Sequence, residues 1–265
     1  MGEYVELPGV KTWYEVEGEG DPVVLLHGGM LTNETWGMQR PALAEKYRVF
    51  LPERRAHGHT PDVDGPISYQ DMAQDTVDFI ETVVGGPAHL VGFSDGGILA
   101  LLVAILRPDL VRKLVPVGAN FLPAEEISAA PGMLDRLTPD EPGLAMLRAM
   151  YEAASPDGPG HWPVVVEKLR ALYTSSEPNI SLEDLGRISA PTLVLASDDD
   201  QMTLEHTIAL YRAVPNAQLA VVPGTSHALL MEKASLTNQL ILDFLGNDPV
   251  PTMMAMRRAA PSAEG

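Results

Sequence analysis

Short, continuous apolar runs alternate along most of this chain with longer stretches of helical period. Pro22–Leu26, Tyr47–Leu51, Leu90–Phe93, Lys113–Val117, Thr192–Ala196 and Gln218–Val222 are each brief and largely apolar. That is the pattern of strands covered on both faces. Lys11–Val16 alternates more loosely and reads as an earlier strand. Between the runs, Ser68–Val84 puts Met72, Val77, Ile80 and Val83–Val84 on one side of a helix and Asp71, Asp75, Asp78 and Glu81 on the other. Asp95–Leu106 reads as a buried helix, and Leu204–Val214 and Glu232–Leu245 as two later ones. Strands alternating with helices predict an α/β class with a mostly parallel sheet and helices on both faces.

The rhythm breaks between Phe121 and Ile188. This interval is rich in Pro, Gly, Met and acidic residues, with helical patches at Gly143–Ala153 and Val164–Tyr173. It predicts a small helical insertion over 121–188, with a core formed by 1–120 and 189–246. The remainder, 247–265, carries Pro, Ala, Ser and Gly and predicts a disordered tail. No internal repeat interrupts this plan.

The densest chemistry lies at Gly92-Phe93-Ser94-Asp95-Gly96, where a buried strand meets a buried helix. This is G-x-S-x-G in the context that a nucleophile elbow requires. The serine takes a strained turn, and strand and helix approach too closely for side chains at Gly92 and Gly96. Serine needs a base to become a nucleophile. In this arrangement the chain order is Ser, then an acid, then His. His227, in Pro223-Gly224-Thr225-Ser226-His227, is the histidine that follows the last strand in a loop. The acid belongs after Thr192–Ala196, where Asp198-Asp199-Asp200 offers choices. Asp200 is favoured and Asp198 is the alternative. Oxyanion donors are expected from the N–H of Asp95 and from Gly29 or Met30, in His27-Gly28-Gly29-Met30.

Acids outnumber bases, 36 Asp and Glu against 18 Lys and Arg, a net charge of −18. A nucleic-acid partner is therefore disfavoured. The chain has no cysteine, so disulfides and thiolate metal sites are excluded. No leader pattern and no membrane-length apolar run is present, so a cytoplasmic protein, monomer or homodimer, with a small-molecule substrate is expected.

Together these motifs strongly resemble the α/β-hydrolase fold superfamily over nearly the whole chain. Glu53-Arg54-Arg55-Ala56-His57-Gly58-His59-Thr60 looks like that family's D-x-R-G-x-G-x-S stretch and departs at Glu53, Ala56 and Thr60. His57 and His59 are read as structural. Ser197 stands where many relatives have glycine. The stretch from Gly92 to Ile98, with Ala100-Leu101, Pro108, Lys113 and Val117-Gly118-Ala119-Asn120, is similar to the biphenyl-hydrolase-like branch. The resemblance implies a serine hydrolase of carboxylic esters or lactones, possible α-amino-acid esters included, with no cofactor or metal. Carbon–carbon hydrolysis, perhydrolysis and acyl transfer use the same triad and stay open, as does, more remotely, a ligand-binding protein on this fold. The insertion would roof the pocket, with Trp36, Phe93, Phe121, Leu122, Met133, Met146, Met150, Tyr151 and Trp162 as candidate liners. The Asp95 side chain has two readings: it faces the positive end of its own helix, or it holds a substrate ammonium.

Overall fold

The computed structural model describes residues 2–127, 132, 134–215, 217–248 and 253. Met133 and most of the expected tail fall outside the described residues. An eight-stranded sheet runs β1 (Glu3–Leu7), β2 (Val10–Glu17), β3 (Asp21–Leu26), β4 (Tyr47–Pro52), β5 (Ala88–Phe93), β6 (Val111–Val117), β7 (Thr192–Asp199) and β8 (Ala217–Ser226) in chain order. In space the order is β1-β2-β4-β3-β5-β6-β7-β8. β1–β2 and β2–β4 pair antiparallel; every other neighbour is parallel. This is the mostly parallel sheet expected from the apolar runs, in the arrangement that the α/β-hydrolase resemblance implied. β1 was not foreseen. Its outward residues leave no apolar run, and it exists as half of a hairpin in which Leu7 faces Val10 across a turn with Gly9 at φ +82°.

Successive residues of the central strands enter opposite cores. Val24, Leu26 and Leu90 belong to one cluster; Val23, Leu25 and Val91 belong to the other. Both faces are therefore covered, which is why these strands read as unbroken apolar runs.

The helices are α1 (Arg40–Ala44), α2 (Tyr69–Phe79), α3 (Asp95–Leu106), α4 (Ala124–Ile127), α5 (Ala145–Ala154), α6 (Trp162–Tyr173), α7 (Leu182–Leu185), α8 (Leu204–Ala213), α9 (Leu229–Glu232) and α10 (Ala234–Gly246). Ser68 caps α2 by accepting from the Asp71 N–H at 3.0 Å. A wider π turn, Ile80–Val84, carries the helix to Gly85 at φ +78°. The helix expected over Glu232–Leu245 is α10, Ala234–Gly246, and the short α9 just before it was not foreseen. Glu232 turns back to accept from the Ser226 N–H and Oγ, at 2.7 and 2.9 Å, so the chain changes direction at Lys233. Four of the helices, α4 to α7, lie between β6 and β7. The inner face of α6, with Trp162, Val165, Val166 and Leu169, joins the core that also contains α2 and α3. Among the described residues no helix is long and apolar enough to cross a membrane.

Backbone meets backbone closely where β5 turns into α3. A Cβ on Gly92 would overlap the carbonyl of Gly96, and one on Gly96 would overlap the carbonyls of Leu26 and His27. These contacts are backbone and cannot swing aside. Gly96→Ala should therefore cost roughly 2 kcal/mol or more, seen in thermal denaturation as a melting point lowered by several degrees; an unchanged melting point would contradict this packing.

Candidate active site

The elbow puts Ser94 at φ +53°, ψ −121°, a conformation that side chains rarely adopt. The turn is held from both sides. Ser94 N–H donates to the Val117 carbonyl of the neighbouring strand at 2.8 Å, and the Ser94 carbonyl accepts from Gly97 N–H at 2.8 Å. Asp95 opens α3, so the serine stands at the positive end of a buried helix.

The acid and the histidine come together through strand register. Asp199 of β7 pairs with Ser226 of β8, so the next residues, Asp200 and His227, leave the sheet side by side. His227 Nδ1 lies 2.7 Å from Asp200 Oδ1, with both side chains largely buried. The other oxygen, Oδ2, accepts from Ser197 Oγ at 2.6 Å, and Oδ1 also accepts from Gln201 N–H at 2.7 Å. Burial pushes the Asp200 carboxyl up, but its hydrogen bonds and the His227 charge outweigh this and hold it below the ordinary carboxylate value. Asp198 turns the other way and accepts from Thr225 N–H at 3.1 Å, bracing the turn that carries His227. Between the two acids left open by the sequence, the geometry pairs Asp200 with the imidazole.

Gly29 and Met30 line the same cavity as Ser94, Asp95 and His227. Their loop is fixed from behind by Arg54, whose Nη2 donates to the Gly28 carbonyl at 2.6 Å and whose N–H donates to His27 Nε2 at 3.2 Å. The Glu53–Thr60 segment is a buried brace. Glu53 accepts from Asn33 N–H and from His59 N–H, and Thr60 Oγ1 donates to the Glu53 carbonyl. Burial and the Arg54 charge push His57 down to about 3, so it stays neutral near pH 7 and has a packing role.

Asp95 has an unforeseen environment. Its Oδ1 accepts from Tyr69 OH at 3.1 Å and its Oδ2 from Tyr173 OH at 2.8 Å; Arg54 Nη1 lies 3.9 Å away. Burial, reinforced by the Asp95 charge, raises both phenols well above their ordinary value, so they remain donors. Gly29 is glycine because a Cβ there would overlap Tyr173 OH and Asp95.

The cavity measures about 320 Å³. Of the expected liners, Phe93 is in its wall, with its ring 4.9 Å from that of His227. The others are not. Trp36 is fully buried in the core under α1 and α10. Phe121 stacks on His206 at 4.2 Å, and Leu122 packs against the core. Trp162 donates to the Pro139 carbonyl and packs on Tyr151 inside the helical segment. Met146 is 70% exposed; the next residue, Leu147, lines the cavity instead, and Met150 does not. Large apolar side chains were sought by type, whereas helix phase decides which of them face inward. Tyr69, Asn120, Tyr173, Glu177 and Gln201 line the cavity without having been foreseen. Ser197, read from the sequence as a departure from the family pattern, donates to Asp200.

Residues 23–239 match the alpha/beta hydrolase family. The chain belongs to that family. Serine hydrolase BPHL of Homo sapiens is 31% identical over 253 residues, covering 91% of this chain and 85% of that protein. This agrees with the resemblance to the biphenyl-hydrolase-like branch. The 2-hydroxy-6-oxo-6-phenylhexa-2,4-dienoate hydrolase of Burkholderia cepacia is 30% identical, covering 87% and 89% of the two chains. Among solved structures, a meta-cleavage product hydrolase from Pseudomonas fluorescens IP01 superposes with a TM-score of 0.75 at 24% identity, over 92% of this chain and 97% of that one, a likeness of fold.

The two carboxylates should separate cleanly in kinetics. Asp200→Asn should lower kcat by about 10³- to 10⁴-fold, because the amide no longer fixes the imidazole tautomer. Asp198→Asn should stay within a few-fold of the parent. Steady-state turnover of a chromogenic ester checks this, and the reverse ranking would transfer the role to Asp198.

Proposed function

We propose that this member of the hydrolase family is a serine hydrolase of small carboxylic esters or lactones, working through an acyl-enzyme on Ser94. The observation that carries the reading is the 2.7 Å contact of His227 with Asp200 on the wall of the cavity into which the strained Ser94 turn projects. In this mechanism His227 takes the Ser94 proton as Oγ attacks the carbonyl carbon. Asp200 steadies the imidazolium. The N–H groups of Gly29 and Asp95 bind the oxyanion, Met30 N–H being the alternative to Gly29. The tetrahedral intermediate expels the alcohol, which takes the proton from His227. Water, deprotonated by His227, then releases the acid. The segment 121–188 serves as the roof of the site.

Charge favours esters over the dienoate substrate named for one relative. Apart from His227, the ionisable carboxylates and bases in the cavity wall are Asp95 and Glu177; no Lys or Arg is among the described lining residues. Among the described lining residues a substrate carboxylate would meet two acids and neither Lys nor Arg. Neutral esters suit this wall, and so do α-amino-acid esters. For the latter, Asp95 is not a free anion: two phenols and Arg54 already share its charge.

Ser94→Ala should remove essentially all ester turnover while leaving the melting point within about a degree of the parent. A fluorophosphonate should add once to the parent protein, at Ser94, by intact mass. In paired assays, neutral and aminoacyl esters should be turned over and an anionic dienoate should not. Wild-type turnover by Ser94→Ala would overturn the mechanism, and preferential cleavage of the dienoate would overturn the substrate class.

A further inference from the structure

A second, larger hollow lies behind the wall of the catalytic cavity. It measures about 800 Å³ and sits between residues 65–68 and the outer side of α6. Pro66, Ile67, Pro163, Val164 and Leu172 make it largely apolar, although Glu167 and Lys168 also line it, Lys168 being tied to Asp62 and the Val63 carbonyl. Residues adjacent in the chain line the two spaces. Ser68 lines the hollow and Tyr69 lines the cavity; Leu172 lines the hollow and Tyr173 lines the cavity. Among the described residues, Glu177 is the one that lines both.

Glu177 is held in that position. Its Oε2 accepts the Tyr69 N–H at 2.9 Å, which ties the segment after α6 to the start of α2. Among the described residues it forms no ion pair with a cation. A carboxylate between two largely apolar spaces is an unfavourable lining for an aliphatic chain, since the chain would have to desolvate it.

We propose that Glu177 is a partition that limits the length of substrate: its side chain closes the cavity against an apolar hollow that would otherwise continue it and accept a linear aliphatic chain. The inference rests on the ester-hydrolase reading for its rates, but the partition itself concerns binding. With Glu177 in place, methylenes beyond the cavity gain nothing. With the side chain shortened, each methylene entering the hollow should contribute about fourfold.

The test compares kcat/KM for p-nitrophenyl esters from acetate to decanoate, and for acetates of linear alcohols of the same lengths. The proteins are the parent, Glu177→Gln, Glu177→Ala, Glu177→Ser and the double variant Glu177→Ala with Ala171→Phe, all checked by thermal denaturation. Ala171 lines the hollow and not the cavity, so phenylalanine there refills it. The parent and Glu177→Gln should favour short chains. Glu177→Ala and Glu177→Ser should raise the long-to-short ratio at least about tenfold in one of the two series, and Ala171→Phe should cancel the gain. An unchanged ratio in both series, or a gain that Ala171→Phe does not reverse, would overturn the proposal. Calorimetric titration with hexanol, octanol and decanol needs no turnover and separates the two ideas. A protein that hydrolyses no ester but binds decanol more tightly after Glu177→Ala would refute the ester reading and keep the partition. Esters cleaved with no change in decanol affinity would do the reverse.

Discussion

No side chain fits at Gly92 or Gly96, because the first turn of α3 lies directly against the backbone of β5 and the end of β3. The rest of the site depends on that contact. It forces the intervening serine to φ +53°. It also presses the start of α3 against the Leu26 and His27 carbonyls, the point at which the Gly28–Met30 loop begins. One steric constraint therefore brings the two expected sources of oxyanion N–H donors together: the residue after the serine and the loop after β3. Arg54, pinning that loop from below, and Val117, accepting from Ser94, hold the arrangement on its other sides.

The charge at Asp95 shows how such a close-packed centre tolerates an acid. An unshared carboxylate beside a developing oxyanion would raise the barrier. Here its two oxygens are each met by a phenol, one from α2 and one from the end of α6, with a buried guanidinium 3.9 Å away. Three distant parts of the chain converge on one side chain. The same arrangement explains why Gly29 must be bare: Tyr173 reaches across it.

How much of this was legible in the sequence depended on whether a residue's neighbours were near in the chain. The elbow, α3 from Asp95 to Leu106 and the parallel strands were readable because local pattern and burial agree there. The positions of Ser94 and His227 followed from turns at strand ends. β1 was missed because it takes its order from pairing with β2 rather than from an apolar run of its own. The choice between Asp198 and Asp200 depended on a register shift between β7 and β8, which a sequence does not display. The cavity wall was mostly missed for a similar reason. Leu147 and Met146 are neighbours of similar chemistry, and only the phase of α5 turns one inward and the other to solvent. Tyr69, Tyr173 and Glu177 meet through tertiary contacts alone.

Among the described residues, β8 is the last strand of the sheet and pairs only with β7. His227 is the residue immediately after it, whereas Ser94 emerges from β5 in the interior of the sheet. Edge elements open at lower free-energy cost than central ones. The proposed nucleophile and base thus belong to regions of unequal local stability, Ser94 in the most constrained and His227 at the margin. On the proposed mechanism, gentle heating or low denaturant would silence the protein by loosening one border while the bulk of the fold stayed intact. Loss of activity would then report on fraying at an edge before it reported on collapse of the core.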